Sequence, residues 1–263
     1  MRVLIPRSLE EALRLRSEHP GVRPIAGGTD LMVALNAERE RPDALIDLGR
    51  VEELRGWRRE GDELVLGAAL TYSEAANGEL ASALPALAAA ARTVGSPQIR
   101  NRGTIGGNLG TASPAGDALP PLLVEGARIE LASSKRTRTL PLEEFLIGPK
   151  RNALHDDELV VAVRLRPSGA AQTFMKVGPR NAMVISICSL ALSADRERGE
   201  LRAAFGSSGP VVGLVTAPFE EAEAFAARVV AAASPIDDLR GTAAYRRHAL
   251  GVLARRALAR CLV

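Results

Sequence analysis

The chain has 263 residues, enough for one large core or two modest ones, since single cores stop growing near ~250–300 residues. Its 46% hydrophobic and 25% charged content exclude disordered and collagen-like classes. A formal net charge of only +3, spread along the chain, argues against a dedicated nucleic-acid binder, which needs a concentrated basic face.

From the N-terminus, Ser8-Leu9-Glu10-Glu11 has capping-box spacing and predicts a helix over 8–18. A short strand over 23–26 is broken by Gly27-Gly28, and Thr29 is the expected N-cap of a helix to 37. Residues 44–48 form a second apolar strand, so the opening is an α/β unit. Residues 54–59 and 63–68, around Glu60-Gly61-Asp62, predict a hairpin. A short helix over 71–76 and a longer alanine-rich one over 79–94 follow. Residues 95–113 are dense in Gly, Asn, Ser and Thr and predict a loop; one of about nineteen residues is usually functional or disordered. Its apolar Ile99, Ile105 and Leu109 argue for order.

A helical turn over 118–124 and strands over 127–132 and 158–165 come next, then a linker at Pro167-Ser168-Gly169. Strand-like segments 171–177, 183–194 and 201–207 predict a three-stranded antiparallel meander, with helices over 218–230 and 242–262. On the last helix Tyr245, Ala249, Leu253 and Ala257 mark an apolar face. The fold class expected is α+β.

No apolar run reaches the ~18 residues of a membrane span, and the N-terminus lacks a signal-peptide core, so a soluble, cytoplasmic protein is expected. Cys188 and Cys261 cannot make a disulfide framework or the four thiolates of an iron–sulfur cluster. His19, His155 and His248 lack metal-type spacing. No metal site and no catalytic acid/base pair can be nominated. Any redox chemistry therefore rests on an organic cofactor or a partner.

Two glycine-rich elements carry the chemistry: Ile25-Ala26-Gly27-Gly28-Thr29-Asp30-Leu31, and Thr104-Ile105-Gly106-Gly107-Asn108, with Ser113-Pro114-Ala115-Gly116-Asp117 close behind. Adjacent glycines remove Cβ from two peptide units, so main-chain N–H groups can approach an anion such as a diphosphate. The plainer reading is a strand-to-helix turn at each. The chain contains no Gly-x-Gly and no Gly-Lys-Ser/Thr, which disfavours Rossmann dehydrogenases and P-loop enzymes.

These two elements, running on through Ala112-Ser113-Pro114-Ala115-Gly116-Asp117, resemble the FAD-binding medium subunit of molybdenum hydroxylases, the xanthine dehydrogenase and carbon monoxide dehydrogenase group. Phe174-Met175-Lys176-Val177-Gly178, Arg180-Asn181-Ala182 and the segment Asp237-Asp238-Leu239-Arg240-Gly241-Thr242-Ala243-Ala244-Tyr245-Arg246 resemble its C-terminal part. The resemblance covers nearly the whole chain. It implies a vanillyl-alcohol-oxidase-type (PCMH-type) fold of two α/β subdomains clasping FAD over residues 1–166, then a small C-terminal domain over 170–263.

It also implies roles. Residues 25–31 and 104–108 would embrace the FAD diphosphate, with Thr104 and Asn108 donating to it. Asp117 would accept from a cofactor hydroxyl or amine, against a plain role as a turn residue. Val94, Val160 and Lys176 would line the flavin, although a solvated strand lysine is the alternative for Lys176. Molybdopterin and two [2Fe–2S] clusters would sit on two partner subunits, with NAD or another acceptor taking the electrons. Val184 stands where some relatives carry an acid, which leaves the acceptor open. A self-sufficient flavin oxidase or reductase of the same fold is the alternative that the short C-terminal part and 3% aromatic content disfavour. A flavin-less interaction subunit is disfavoured by the intact glycine pairs.

Overall fold

The computed structural model describes residues 1–262. The first unit is β1 (Arg2–Leu4), α1 (Leu9–Glu18), β2 (Arg23–Ile25), α2 (Leu31–Asn36) and β3 (Ala44–Asp47), with the strands in a parallel sheet of order β1-β3-β2. Ser8 caps α1 by accepting the Glu11 N–H, but the Glu11 carboxylate takes the Arg7 N–H and not that of Ser8, so the capping box is half made.

The second unit runs β4 (Trp57–Glu60), β5 (Glu63–Gly67), α3 (Tyr72–Ala75), α4 (Gly78–Ala83), α5 (Pro85–Thr93), α6 (Pro97–Arg102), α7 (Ile105–Thr111) and α8 (Leu119–Val124). It continues through β6 (Arg128–Ala132), β7 (Thr137–Pro141), α9 (Leu142–Phe145), β8 (Leu146–Gly148), β9 (Arg151–Asn152) and β10 (Leu159–Leu165). Its antiparallel sheet has the order β4-β5-β10-β6-β7, so the predicted hairpin forms its edge.

Two expectations change here. The single helix over 79–94 is two helices, because Pro85 has no N–H to donate and drives Leu84 out of the helical region, to φ −130° and ψ 66°. The expected loop over 95–113 is mostly helical. Ser96 and Thr104 act as N-caps, accepting the N–H groups of Ile99 and Gly107, so the hydroxyl residues that read as loop are helix starts.

The third unit is β11 (Ala171–Val177), β12 (Cys188–Asp195), β13 (Glu200–Gly206), β14 (Gly213–Pro218), α10 (Ala222–Ala232) and α11 (Ala243–Cys261). The expected three-stranded meander has a fourth strand, β14. β12 starts at Cys188 and not at 183. Residues 178–187 instead form a turn that folds Val184 over Gly178, with Met183 left-handed at φ 51°. One face of this sheet packs on α5 and α8, the other on α10 and α11. Burial on both faces explains why all eight residues of β12 are buried without alternation. On α11, Ala249, Leu253 and Ala257 are buried as expected, but Tyr245 is exposed and Arg246 takes its place inside. Among the described residues no helix is long and apolar enough to cross a membrane.

Candidate functional site

The first glycine element joins β2 to α2. Gly28 has φ +74°, a conformation that side chains resist. A Cβ on Gly27 would lie 1.8 Å from the Arg102 carbonyl oxygen and 3.0 Å from the Gly103 Cα. The element is therefore laid, backbone on backbone, against the residues that immediately precede Thr104. The N–H groups of Gly27, Gly28, Thr29 and Asp30 donate to no other main-chain group. Thr29 is not the N-cap; Asp30 holds that position without capping, because its carboxylate accepts from the Thr111 hydroxyl on α7 at 3.2 Å.

The second element is the first turn of α7, and here the expectation of bare amides is corrected. Ile105 N–H donates to Leu70 O (2.9 Å), Gly106 N–H to Ala68 O (2.8 Å) and Gly107 N–H to Thr104 Oγ1 (2.9 Å). A Cβ on Gly106 would lie 2.5 Å from the Ala68 carbonyl oxygen. Gly106 serves the close approach of α7 to the chain leaving β5, and its amide is spent. What this element offers a ligand is side chains. The Thr104 oxygen accepts from Gly107, which leaves its hydrogen to donate. The buried Oδ1 of Asn108 has no partner, and its amide is pressed on Gly116, where a Cβ would meet Nδ2 at 2.7 Å. An orphaned buried amide costs about 1–3 kcal/mol, and a half-turn of that amide presents a donor at the same place.

Asp117, directly after Gly116, anchors the other end. Its Oδ2 accepts from Lys176 Nζ at 2.6 Å and its Oδ1 from the Ser186 hydroxyl at 2.6 Å. Lys176 Nζ also donates to Thr93 O (2.9 Å) and Val184 O (3.3 Å). The two charged side chains are 7% and 8% exposed, so Lys176 is no solvated strand lysine. Burial pushes the Asp117 carboxyl up, against the downward pull of Lys176 and Ser186. Tyr72 is buried with its ring against Gly103. Burial, with the charges of Asp117 and then Asp30, pushes its phenol up.

Of the other expected residues, Val94 follows Thr93, the Lys176 acceptor, and its carbonyl accepts from Arg100. Val160 is buried in the bulged part of β10, against which α7 packs. Ile25 closes β2, and Ala26 and Leu31 flank the bare amides. Sequence reasoning missed Ser186, Tyr72 and the Thr93 carbonyl. Ser186 was hidden in an apolar run, where a serine was itself the signal of a polar partner.

These residues fit an extended cofactor carrying a diphosphate. There are free amides at 27–30, a hydroxyl donor at Thr104 and an orphaned amide at Asn108, with a buried carboxylate–ammonium pair beyond. No group of three or more His, Cys, Asp or Glu among the described residues is arranged to hold a metal ion.

Residues 1–167 match a family model described as the FAD binding domain in molybdopterin dehydrogenase. The chain is 40% identical over 190 residues to the nicotinate dehydrogenase FAD-subunit of Eubacterium barkeri, covering 69% of this chain and 64% of that one; the match thus spans just under two thirds of that relative. It is 29% identical over 284 residues to the carbon monoxide dehydrogenase medium chain of Hydrogenophaga pseudoflava, covering 97% of this chain and 96% of that one. The solved carbon monoxide dehydrogenase from the same organism matches with a TM-score of 0.92 at 28% identity, over 100% of this chain and 97% of that chain.

Proposed function

The chain belongs to the family of FAD-binding domains of molybdopterin dehydrogenases, and from that premise we propose that it is the electron-transfer subunit of a cytoplasmic molybdenum hydroxylase. In this reading it takes electrons from the [2Fe–2S] clusters of one partner subunit and delivers them to NAD or another acceptor. A molybdopterin subunit is the second partner. FAD supplies the exchange of one or two electrons; the protein supplies position and electrostatics.

Residues 1–166 form the FAD-binding part and 170–263 the C-terminal part. The amides of Gly27, Gly28, Thr29 and Asp30, the Thr104 hydroxyl and the Asn108 amide hold the diphosphate. Asp117 and Lys176 orient a polar edge of the cofactor, and Val94 and Val160 contribute to its apolar lining. The observation that carries the reading is the seating of Gly27 on the Arg102–Gly103 main chain. It lays unspent amides on the main chain that leads into Thr104 and α7, the helix that carries the orphaned Asn108 amide, and no packing requirement explains both.

Purified protein should absorb near ~450 nm through bound flavin. A colourless chain that takes up no FAD on reconstitution would overturn the reading. Pull-down from native lysate should recover an iron–sulfur and a molybdenum polypeptide, and the isolated chain should turn over no hydroxylase substrate. Robust single-chain turnover would reject the partner requirement.

A further inference from the structure

The segment from Asp237 to Arg246 has no part in the site described above, yet its last residue is the largest fully buried side chain in the described residues. Arg246 is 2% exposed. Its Nη2 is held by Asp238 Oδ1 at 2.5 Å, and its Nη1 donates to Ile187 O (2.6 Å) and Ser207 O (2.7 Å). Asp237 Oδ1 accepts the Ala243 N–H at the start of α11, which fixes where the arginine enters.

Both of the Nη1 acceptors lead to Asp117. Ile187 adjoins Ser186, whose hydroxyl lies on Asp117 Oδ1. Ser207 donates its hydroxyl to Ser186 O (3.0 Å) and its N–H to Pro114 O (2.7 Å), three residues before Asp117. Ser207 does so with φ +56°, a left-handed conformation that a serine keeps only when held. A planar guanidinium that bonds two carbonyls from one nitrogen while a carboxylate holds the other is a fixed brace, which a lysine ammonium on a flexible stem reproduces poorly.

We infer that Arg246 is a positioning residue for the flavin site: through Ile187 and Ser207 it sets the Ser186 hydroxyl on Asp117 and so fixes the carboxylate that Lys176 faces. The inference rests on the flavin reading for its meaning, but the geometry of Asp117 can be tested without flavin. The groups bonded to Asp117 are Lys176 from β11 and Ser186 from the turn before β12, and its charge acts on the buried Tyr72 of α3.

The test follows the Asp117 carboxyl by 13C NMR across pH in the full-length chain labelled at aspartate, assigned with Asp117→Asn. A carboxylate that loses a hydrogen-bond donor titrates higher. Ser186→Ala, Ser207→Ala and Arg246→Lys should each move the Asp117 midpoint upward by about one pH unit. Ser207→Ala should add nothing once Ser186→Ala is present, because both act through the same hydroxyl. Arg246→Met leaves buried carbonyls unpaired and is avoided for that reason; the two serine variants delete one oxygen each. FAD affinity should fall about tenfold in the same variants. An unmoved Asp117 midpoint in Ser207→Ala and Arg246→Lys, or displacements that add, overturns the inference even if the wild-type chain binds FAD. A wild-type chain that binds no FAD while the midpoints move and do not add rejects the flavin reading and leaves the brace standing.

Discussion

At Gly27 and Gly110 the same missing methyl group has opposite consequences. Gly27 faces the Arg102 carbonyl so closely that a Cβ has no room, whereas a Cβ on Gly110, in the last turn of α7, meets nothing within 4 Å. Overpacking against main chain costs about 1–3 kcal/mol or more, while Gly to Ala in an open helical position gains about 0.5–1 kcal/mol. Gly27→Ala should therefore lower the melting temperature and release flavin by parting the two elements. Gly110→Ala should raise the melting temperature. Thermal denaturation with and without FAD reads both, and an undisturbed Gly27→Ala protein would contradict the seating. Gly106→Val belongs with Gly27→Ala, since its side chain would strike Ala68 and not a phosphate.

Among the elements, the loop between β9 and β10 is tied down by one residue. Glu158 is buried and takes both nitrogens of a fork from Arg138, at 2.7 Å each, and the His155 N–H at 2.9 Å. Arg138 also donates to Ala153 O. Burial alone would raise this carboxyl, but the bonds from Arg138 and His155 outweigh it and hold it at about 2. A depressed carboxyl contributes stability that is complete above the unfolded value near 4.5 and is lost as pH falls through the folded one. The acid limb of the stability profile should thus steepen between about pH 5 and pH 2. Glu158→Gln should be less stable at neutral pH and should flatten that limb in denaturant melts taken across pH. A parallel acid limb in the variant would place the effect elsewhere.

At the scale of the molecule, the third unit is not an appendage. Phe174, Ala191 and Ala204 from its sheet lie in the same core as α5 and α8, and Lys176 reaches from β11 to Asp117 and Thr93. Cutting the chain after residue 166 would bare the apolar faces of α5 and α8 and leave Asp117 buried without its cation, a loss of about 3–5 kcal/mol for a broken buried pair. The truncated chain should aggregate or show poorly dispersed NMR spectra, and should take up no FAD. A monomeric, flavin-binding fragment 1–166 would show that the two parts are energetically independent.

The local rules were enough to read much of this protein from its letters. The helix starts at Ser8 and Thr71, the strands over 44–48 and 158–165, and the two glycine elements all depend on residues near in sequence, where dihedral preference and hydrogen-bonding side chains act directly. Three things were decided only by the folded arrangement. Whether a glycine amide is free depends on which acceptor lies opposite: Ala68 O takes that of Gly106 and Thr104 Oγ1 that of Gly107, while nothing in the main chain takes those of Gly27 and Gly28. Whether Lys176 is solvated or buried depends on Asp117, 59 positions away. And Arg246, a polar residue on a helix whose pattern pointed to Tyr245, is inside because the carbonyls of Ile187 and Ser207, from distant segments, converge on it beside the Asp238 carboxylate and the Gly241 carbonyl of its own segment. Each is a long-range pairing of polar groups away from water, and residue type and local spacing carry no record of the partner.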